Sequence, residues 1–423
     1  MTRIVFIVLV VALIASSISD ATANCHLFGQ DDGMPSVPKA GEPSRPASVG
    51  SKPSENRPDK QGISSFSEID VFTMKSEGYP RFRIPAVIAT TKGTLLAFCE
   101  GRTGGDSGDI DLVCKRSTDG GKTWGDLQVV WNDGKNTCGN PAPVVDRDTG
   151  KVWLFMTWNL GSDDEKAIME GTSKDVRHVY VTSSVDDGKT WAVPEKLNDV
   201  RQEKWRWYAT GPGNGIQLIA GKHQGSLVIP CNHSDHSGLG HPYRSHVVYS
   251  DDHGTTWKIG GIEEDRTNES AVVELVGERI LHTMRSYHGK NCRAMAVSQD
   301  GGESWGKVYL DEALDTPVCQ ASVLRYSWPA DKESDGKSRL LFCSPAGKAR
   351  DHLTVWISHD EGQSWPLRKE IYQGGSGYSS LVLLPNRNVG VFFEKDGSKS
   401  LTFATVSLGW LEGQGVESEP KDR

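Results

Sequence analysis

Beyond residue 64 the chain is a succession of short apolar and β-branched runs separated by Gly, Asp, Asn and Ser, and no long stretch repeats at the helical period. One turn pattern, Ser-x-Asp-x-Gly-x-x-Trp, recurs five times, starting at Ser117, Ser184, Ser250, Ser298 and Ser358, with offsets of 67, 66, 48 and 60 residues. Each copy lies between two strand-like runs, such as 111–116 before the first and 178–182 before the second, and so reads as a hairpin turn. The Asp and Ser side chains can bond the turn's own amides, Gly supplies a positive φ, and Trp packs the tip onto its blade. Five aspartates in these positions are turn staples rather than a catalytic or calcium array.

Between these boxes the pattern predicts six plain hairpins: 83–90 with 94–102, 141–146 with 151–159, 216–220 with 226–231, 271–276 with 279–285, 320–327 with 338–344, and 379–384 with 389–394. A twelfth forms if 65–74 joins 401–407, which would place both ends of the domain in one blade. Twelve hairpins make six units of four strands, at about 60 residues each. The expectation is an all-β fold, a six-bladed β-propeller of four-stranded antiparallel blades over 65–410, with a polar C-terminal tail over 411–423.

The first residues have a different character. Arg3, the apolar run 4–14 and Ala21-Thr22-Ala23 form the three regions of a signal peptide, assigned to 1–23. The run is too short to cross a bilayer, so no stable membrane insertion is expected after cleavage and the protein is read as exported, whether secreted, periplasmic or lumenal. Residues 24–64 are rich in Pro and Ser and poor in aliphatic side chains, a linker or disordered tail. Eight cysteines are compatible with disulfides, yet Cys99, Cys114, Cys231 and Cys343 sit inside apolar runs where buried free thiols serve equally well. A net charge of −8 excludes nucleic acid as a partner, so any bound anion must meet a local arginine cluster.

The chain carries Phe82-Arg83-Ile84-Pro85, Glu100-Gly101-Arg102 and Thr210-Gly-Pro-Gly-Asn214-Gly-Ile-Gln217 in addition to its five boxes. With these motifs it resembles the bacterial-type exo-α-sialidase (neuraminidase) family over nearly the whole propeller. The resemblance implies hydrolysis of terminal sialic acid from glycoproteins, glycolipids or oligosaccharides, without cofactor or metal. It implies that Arg83, Arg285 and Arg350 bind the substrate carboxylate and that Arg102 also binds substrate. Arginine suits that task because its planar fork meets a carboxylate bidentately and keeps its charge at any biological pH.

The same resemblance makes Asp106, on a glycine-rich loop, the general acid, Tyr378 the nucleophile and Glu269 its base, with Glu394 fixing the fork of Arg83. A neutral phenol avoids pushing a carboxylate against a carbon that already bears one; sialidases are a known tyrosine exception among retaining glycosidases. Asp109 and Asp111, at the next strand, are expected to cap or face solvent. The loop 232–246 holds His233, Asp235, His236 and His241, whose spacing matches no metal motif and is read as a solvated polar loop. Two alternatives stay open: transfer in place of hydrolysis, including intramolecular transfer, and a sialic-acid-binding propeller without activity.

Overall fold

The computed structural model describes residues 65–235, 243–332 and 335–413, all within one compact unit, Asp59–Arg423. The segments read as signal peptide and linker, the tail beyond 413, and His236 and His241 lie outside the described residues. The fold is all-β, with 24 strands and two short helices among the described residues.

The strands form four hydrogen-bonded sheets; with the parallel bridge between β4 and β6 set aside and the long strand β22 divided at its middle, they group into six sets of consecutive hairpins. Strand β1 (Phe66–Thr73) comes first in sequence but pairs with the last strand; the first set is β2 (Arg81–Ala89), β3 (Leu95–Arg102), β4 (Ile110–Ser117) and β5 (Gln128–Trp131). The second holds β6 (Thr137–Val145), β7 (Val152–Asn159), β8 (His178–Ser184) and β9 (Glu195–Leu197), with helix α1 (Glu165–Glu170) between β7 and β8. The third holds β10 (Trp205–Thr210), β11 (Ile216–Gln217), β12 (Leu227–Asp235), β13 (Tyr243–Ser250) and β14 (Lys258–Ile262). The fourth holds β15 (Thr267–Leu275), β16 (Arg279–Ser286), β17 (Arg293–Ser298) and β18 (Tyr309–Asp311). The fifth holds β19 (Ser322–Ser327), β20 (Arg339–Pro345), β21 (Asp351–Ser358) and the first half of β22 (Leu367–Leu383). The sixth takes the second half of β22, then β23 (Val389–Lys395), β24 (Ser400–Val406) and β1, in antiparallel register from Phe66 opposite Val406 to Thr73 opposite Ser400. Helix α2 (Leu408–Leu411) follows, so regular structure runs one residue past the expected boundary at 410.

The apolar core lies between sets rather than within one. Phe98 and Cys114 of the first meet Leu154 and Met156 of the second, and Val144 and Phe155 of the second meet Tyr208 and Ile229 of the third. Val228 meets Val272, Leu281 meets Phe342, and Leu341 meets Val391 in the same way. A further cluster joins Phe392 and Leu401 of the sixth set to Leu95 and Val113 of the first. Inner strands are therefore covered on both faces and read as continuous apolar runs, as in β3, where every residue is buried.

Each box builds its turn as the residue types imply. In the first, Asp119 Oδ1 accepts from the amides of Lys122 and Thr123 at 3.1 and 3.0 Å, and Ser117 Oγ accepts from the Gly121 amide at 2.9 Å. The tryptophans do more than pack the tip onto their own sheet. Trp124 meets Phe403 of the sixth set edge-on at 5.4 Å, and Trp191 meets Phe98 of the first at 5.5 Å. Trp305 donates to Gly261 O at 3.0 Å and Trp365 to Asp311 at 3.1 Å, each across to the preceding set. The box glycine lies against the same neighbour: a Cβ on Gly121, at φ +87°, would stand 2.3 Å from Phe403 Cε1. The boxes are clamps between sets as well as turns.

Candidate active site

The functional side chains gather where inner strands begin and second strands end. Arg83 is the third residue of β2; Glu269 the third of β15; Tyr378 opens the second half of β22; Arg285 is the penultimate residue of β16. Because consecutive strands alternate direction, these ends lie on one side of the sheets. Across the inner strands, Asn214 donates to Val87 O and Leu381 O at 2.6 and 3.2 Å, and Gln320 donates to Pro212 O and Ser379 O, both at 2.9 Å. These amides tie the first, third, fifth and sixth sets together beneath the site.

Tyr378 is buried, and its hydroxyl donates to Glu269 Oε1 at 2.5 Å. Arg285 Nη1 donates to Glu269 Oε2 at 2.7 Å and to the Tyr378 oxygen at 3.1 Å. Burial, then the charge of Glu269, push the phenol well above its ordinary range, with Arg285 and Arg83 opposing them. A free phenolate is therefore disfavoured, and Glu269 is the acceptor that the phenol proton faces. The guanidinium carbons of Arg83 and Arg350 flank the phenol ring at 5.2 and 5.6 Å. Arg350 is exposed, just before β21, and donates to Val318 O at 3.1 Å.

Glu394, on β23, is 4% exposed and accepts four hydrogen bonds. Arg83 Nε and Nη2 donate at 2.9 and 3.2 Å, and the amides of Ile84 and Tyr378 each donate at 3.1 Å. Burial, the largest single influence, raises its pKa; the Arg83 charge, the Arg83 hydrogen bonds and those of the Ile84 and Tyr378 amides together outweigh it and hold the carboxyl below the usual range. One carboxylate thus fixes both the arginine's fork and the backbone of the tyrosine.

Asp106 sits on the loop after β3 with its side chain exposed. Its Oδ1 accepts from Arg83 Nη1 at 3.2 Å and from Arg102 Nη1. Partial burial raises its pKa, but the charge and hydrogen bond of Arg102, then Arg83 and Arg177, bring the net shift down. Behind it stand side chains that sequence reasoning passed over. Glu100 binds Arg102 through Nε (2.7 Å) and Nη2 and accepts the Asn140 amide at 2.7 Å. It lies two residues before Arg102, hence on the same strand face, which is the signal that could have found it. A cleft beside Asp106 is lined by Glu165 and Met169 of α1 and by Tyr243 and Tyr287, which stack at 5.6 Å; the Tyr243 hydroxyl donates to Glu165. These three sets of residues are distant in sequence and carry no motif.

Several expectations change. Asp111 is buried, not a surface group: its Oδ2 accepts from the Tyr79 hydroxyl at 2.6 Å and Asn132 at 2.8 Å. His233 and Asp235 are buried in β12 rather than in a solvated loop; His233 stacks on Trp205 at 3.7 Å and its Nδ1 meets His246 Nδ1 at 3.0 Å. Asn232 and Asn268, each followed two residues on by a serine and so matching the N-glycosylation sequence pattern, are buried. Cys99, Cys114, Cys138, Cys231, Cys292, Cys319 and Cys343 are free and buried. Among the described residues one acid–His group has ligand-like spacing, Asp146, Asp148 and His253. Asp146 is already saturated by Thr149, Gln217, His253 and the Asp148 amide, a polar clamp between the second and third sets.

Residues 93–391 match the BNR repeat-like domain family. The chain is 32% identical over 372 residues to an exo-alpha-sialidase of Aspergillus fumigatus, covering 79% of this chain and 86% of that one. It is 34% identical over 359 residues to a sialidase of Micromonospora viridifaciens, covering 82% of this chain but 55% of the relative; against a Bacteroides fragilis sialidase it spans 62% of the relative. Among solved structures, the Hadza microbial sialidase Hz136 superposes with a TM-score of 0.72 at 27% identity over 81% of this chain and 69% of that one. The intramolecular trans-sialidase from Ruminococcus gnavus superposes with 0.68 at 21% identity over 80% and 96%, a likeness of fold. On these matches and on the clustered arginines, carboxylates and tyrosine, the chain belongs to the sialidase family of BNR-repeat proteins.

Proposed function

We propose that this chain is an exported exo-α-sialidase that releases terminal sialic acid from glycoproteins, glycolipids or oligosaccharides with retention, through a tyrosyl intermediate on a six-bladed β-propeller. Cyclic packing supports the propeller: six apolar clusters each join two consecutive sets, and one of them returns from the sixth to the first. One cavity of about 450 Å³ is lined from β2, β6, β11, β15, β19 and β22, as an axial channel would be.

The observation that carries the function is the 2.5 Å hydrogen bond from Tyr378 to Glu269, with Arg285 bonded to the phenol oxygen and Arg83 and Arg350 against its ring. A binding module needs the arginines alone, whereas a buried phenol paired to a base is the apparatus of nucleophilic attack. Arg83, Arg285 and Arg350 would take the substrate carboxylate, Arg102 a further substrate oxygen, Asp106 would protonate the leaving oxygen, and Tyr378 would attack as Glu269 takes its proton. Water then resolves the intermediate with Asp106 acting as base. Substrate chemistry at this site draws on the chain's own side chains.

Release of a fluorophore from an α-sialoside by purified protein tests this, with lactose added to detect transfer. Wild-type turnover giving free sialic acid, and loss of that turnover in Tyr378→Phe, is the expected result. No turnover by wild type, with sialic acid still bound, would favour the lectin reading. Sialyl-lactose as main product would favour transfer.

A further inference from the structure

The two arginines nearest the acid commit two of their three nitrogens to buried carboxylates. Arg83 gives Nε and Nη2 to Glu394, and Arg102 gives Nε and Nη2 to Glu100. Each has Nη1 left, and both Nη1 groups are spent on the same atom, Asp106 Oδ1. A substrate carboxylate docking on Arg83 must therefore use the nitrogen that Asp106 holds. Asp106 can yield: its side chain is 79% exposed, and Gly104, Gly105 and Gly108 around it face open space.

We propose that Asp106 holds the Nη1 groups of Arg83 and Arg102 that the substrate must use, and that the arriving substrate displaces it from both, freeing it to take up the proton it later donates to the leaving oxygen. This rests on the sialidase reading above. It resolves a conflict in the resting geometry, where a general acid must be protonated yet Asp106 is held ionised by two guanidinium groups. The proton comes from solvent, resides on the Asp106 carboxyl in the complex and passes to the glycosidic oxygen at bond cleavage.

Other charged groups face Asp106 and set the baseline. Arg102 on β3, backed by Glu100 through Nε and Nη2, can meet a substrate oxygen only through the Nη1 that holds Asp106, and so gives Asp106 up together with Arg83, whereas Arg177, the residue before β8, adds positive potential in both states. Asp164, Glu165, Lys166 and Glu170 at α1 line the adjoining cleft with Tyr243 and Tyr287, and Asp109 lies on the same loop. Both guanidinium contacts, through Arg83 Nη1 and Arg102 Nη1, lie where the substrate would compete for them.

The direct test is proton linkage on binding. The probe is 2,3-didehydro-2-deoxy-N-acetylneuraminic acid, a carboxylate analogue that cannot be cleaved, titrated calorimetrically in buffers of different ionisation enthalpy at a series of pH values through the acid range. The expected result is uptake of a large fraction of one proton by wild type and none by Asp106→Asn, which should still bind. A companion measurement is the basic limb of the kinetic pH profile, expected at least about one unit higher for kcat than for kcat/KM, because one reports the complex and the other the free enzyme. Tight binding without proton uptake, uptake that persists in Asp106→Asn, or coincident limbs would overturn the exchange while leaving sialidase activity standing. Failure of the probe to bind at all would instead overturn the sialidase reading itself.

Discussion

Glu394→Gln is the substitution that separates positioning from chemistry. The carboxylate is buried and saturated by four donors, two from Arg83 and two backbone amides. An amide keeps the size but offers one oxygen, and its NH2 must face a donor, either Arg83 Nη2 with the Tyr378 amide or Arg83 Nε with the Ile84 amide. Removing one partner of a buried ion pair costs about 3–5 kcal/mol. Because Arg83 is partly exposed and water can reach it, the lower end applies, about 3 kcal/mol. The same change frees the guanidinium to rotate and shifts the start of the nucleophile's strand, so KM should rise at least tenfold, about 1.4 kcal/mol of lost binding. Urea unfolding followed by tryptophan fluorescence gives the first number and initial rates on an α-sialoside the second. A stability loss under about 1 kcal/mol together with an unchanged KM would refute the claim that Glu394 organises both groups.

Gly121→Ala adds a methyl that would overlap Phe403 at a positive φ, whereas Gly120→Ala, at φ +76° with nothing within 4 Å, adds strain alone; the first should lose about 2–4 kcal/mol and the second about 1 in urea unfolding. Arg350→Ala should raise KM for an α-sialoside by about tenfold or more while leaving the urea midpoint within error, since Arg350 is exposed and makes no ion pair among the described residues. Acid should weaken the fold at specific groups: hydrogen bonds from the Thr123 hydroxyl and amide bring Asp119 down to about 2, and Arg83 depresses buried Glu394. Both folded values lie below the unfolded ones, so this stability is complete above about pH 5 and is lost as pH falls toward 2; the urea midpoint should drop across that window, and Asp119→Asn should flatten part of the slope.

Much of the strand order was legible because the boxes mark turns with side chains that act within eight residues, as Ser117 and Asp119 do around their own amides. The sixth set, which has no box, was reachable only by noticing that 65–74 and 401–407 were unpaired; residues Phe66 and Val406 stand opposite one another. What stayed hidden depends on contacts between sets. Trp124 reads locally as packing on its own turn, and its partner Phe403 lies 279 positions away. Asp111 and His233 read as polar surface because their types usually are, and only the neighbouring strands make them buried. Arg293, which could have passed for another anion ligand, is buried and satisfied by Thr283 and by carbonyls of Cys319 and Glu269. The site residues were reached through motif resemblance, and the pairs Tyr378–Glu269 and Arg83–Glu394 span 109 and 311 positions, beyond any periodicity argument.

The central claim is that Tyr378 attacks the anomeric carbon while Glu269 takes its proton. A 3-fluoro sialosyl fluoride slows both steps by destabilising the oxocarbenium-like transition state, yet its good leaving group lets the first proceed, so a covalent adduct should accumulate. Mass spectrometry of proteolysed protein should find the fluorosialyl group on the peptide containing Tyr378, with no label in Tyr378→Phe, and α-sialic acid should be the first product seen by proton NMR from an ordinary α-sialoside. Label on Glu269 or Asp106, or the β anomer appearing first, would contradict the account.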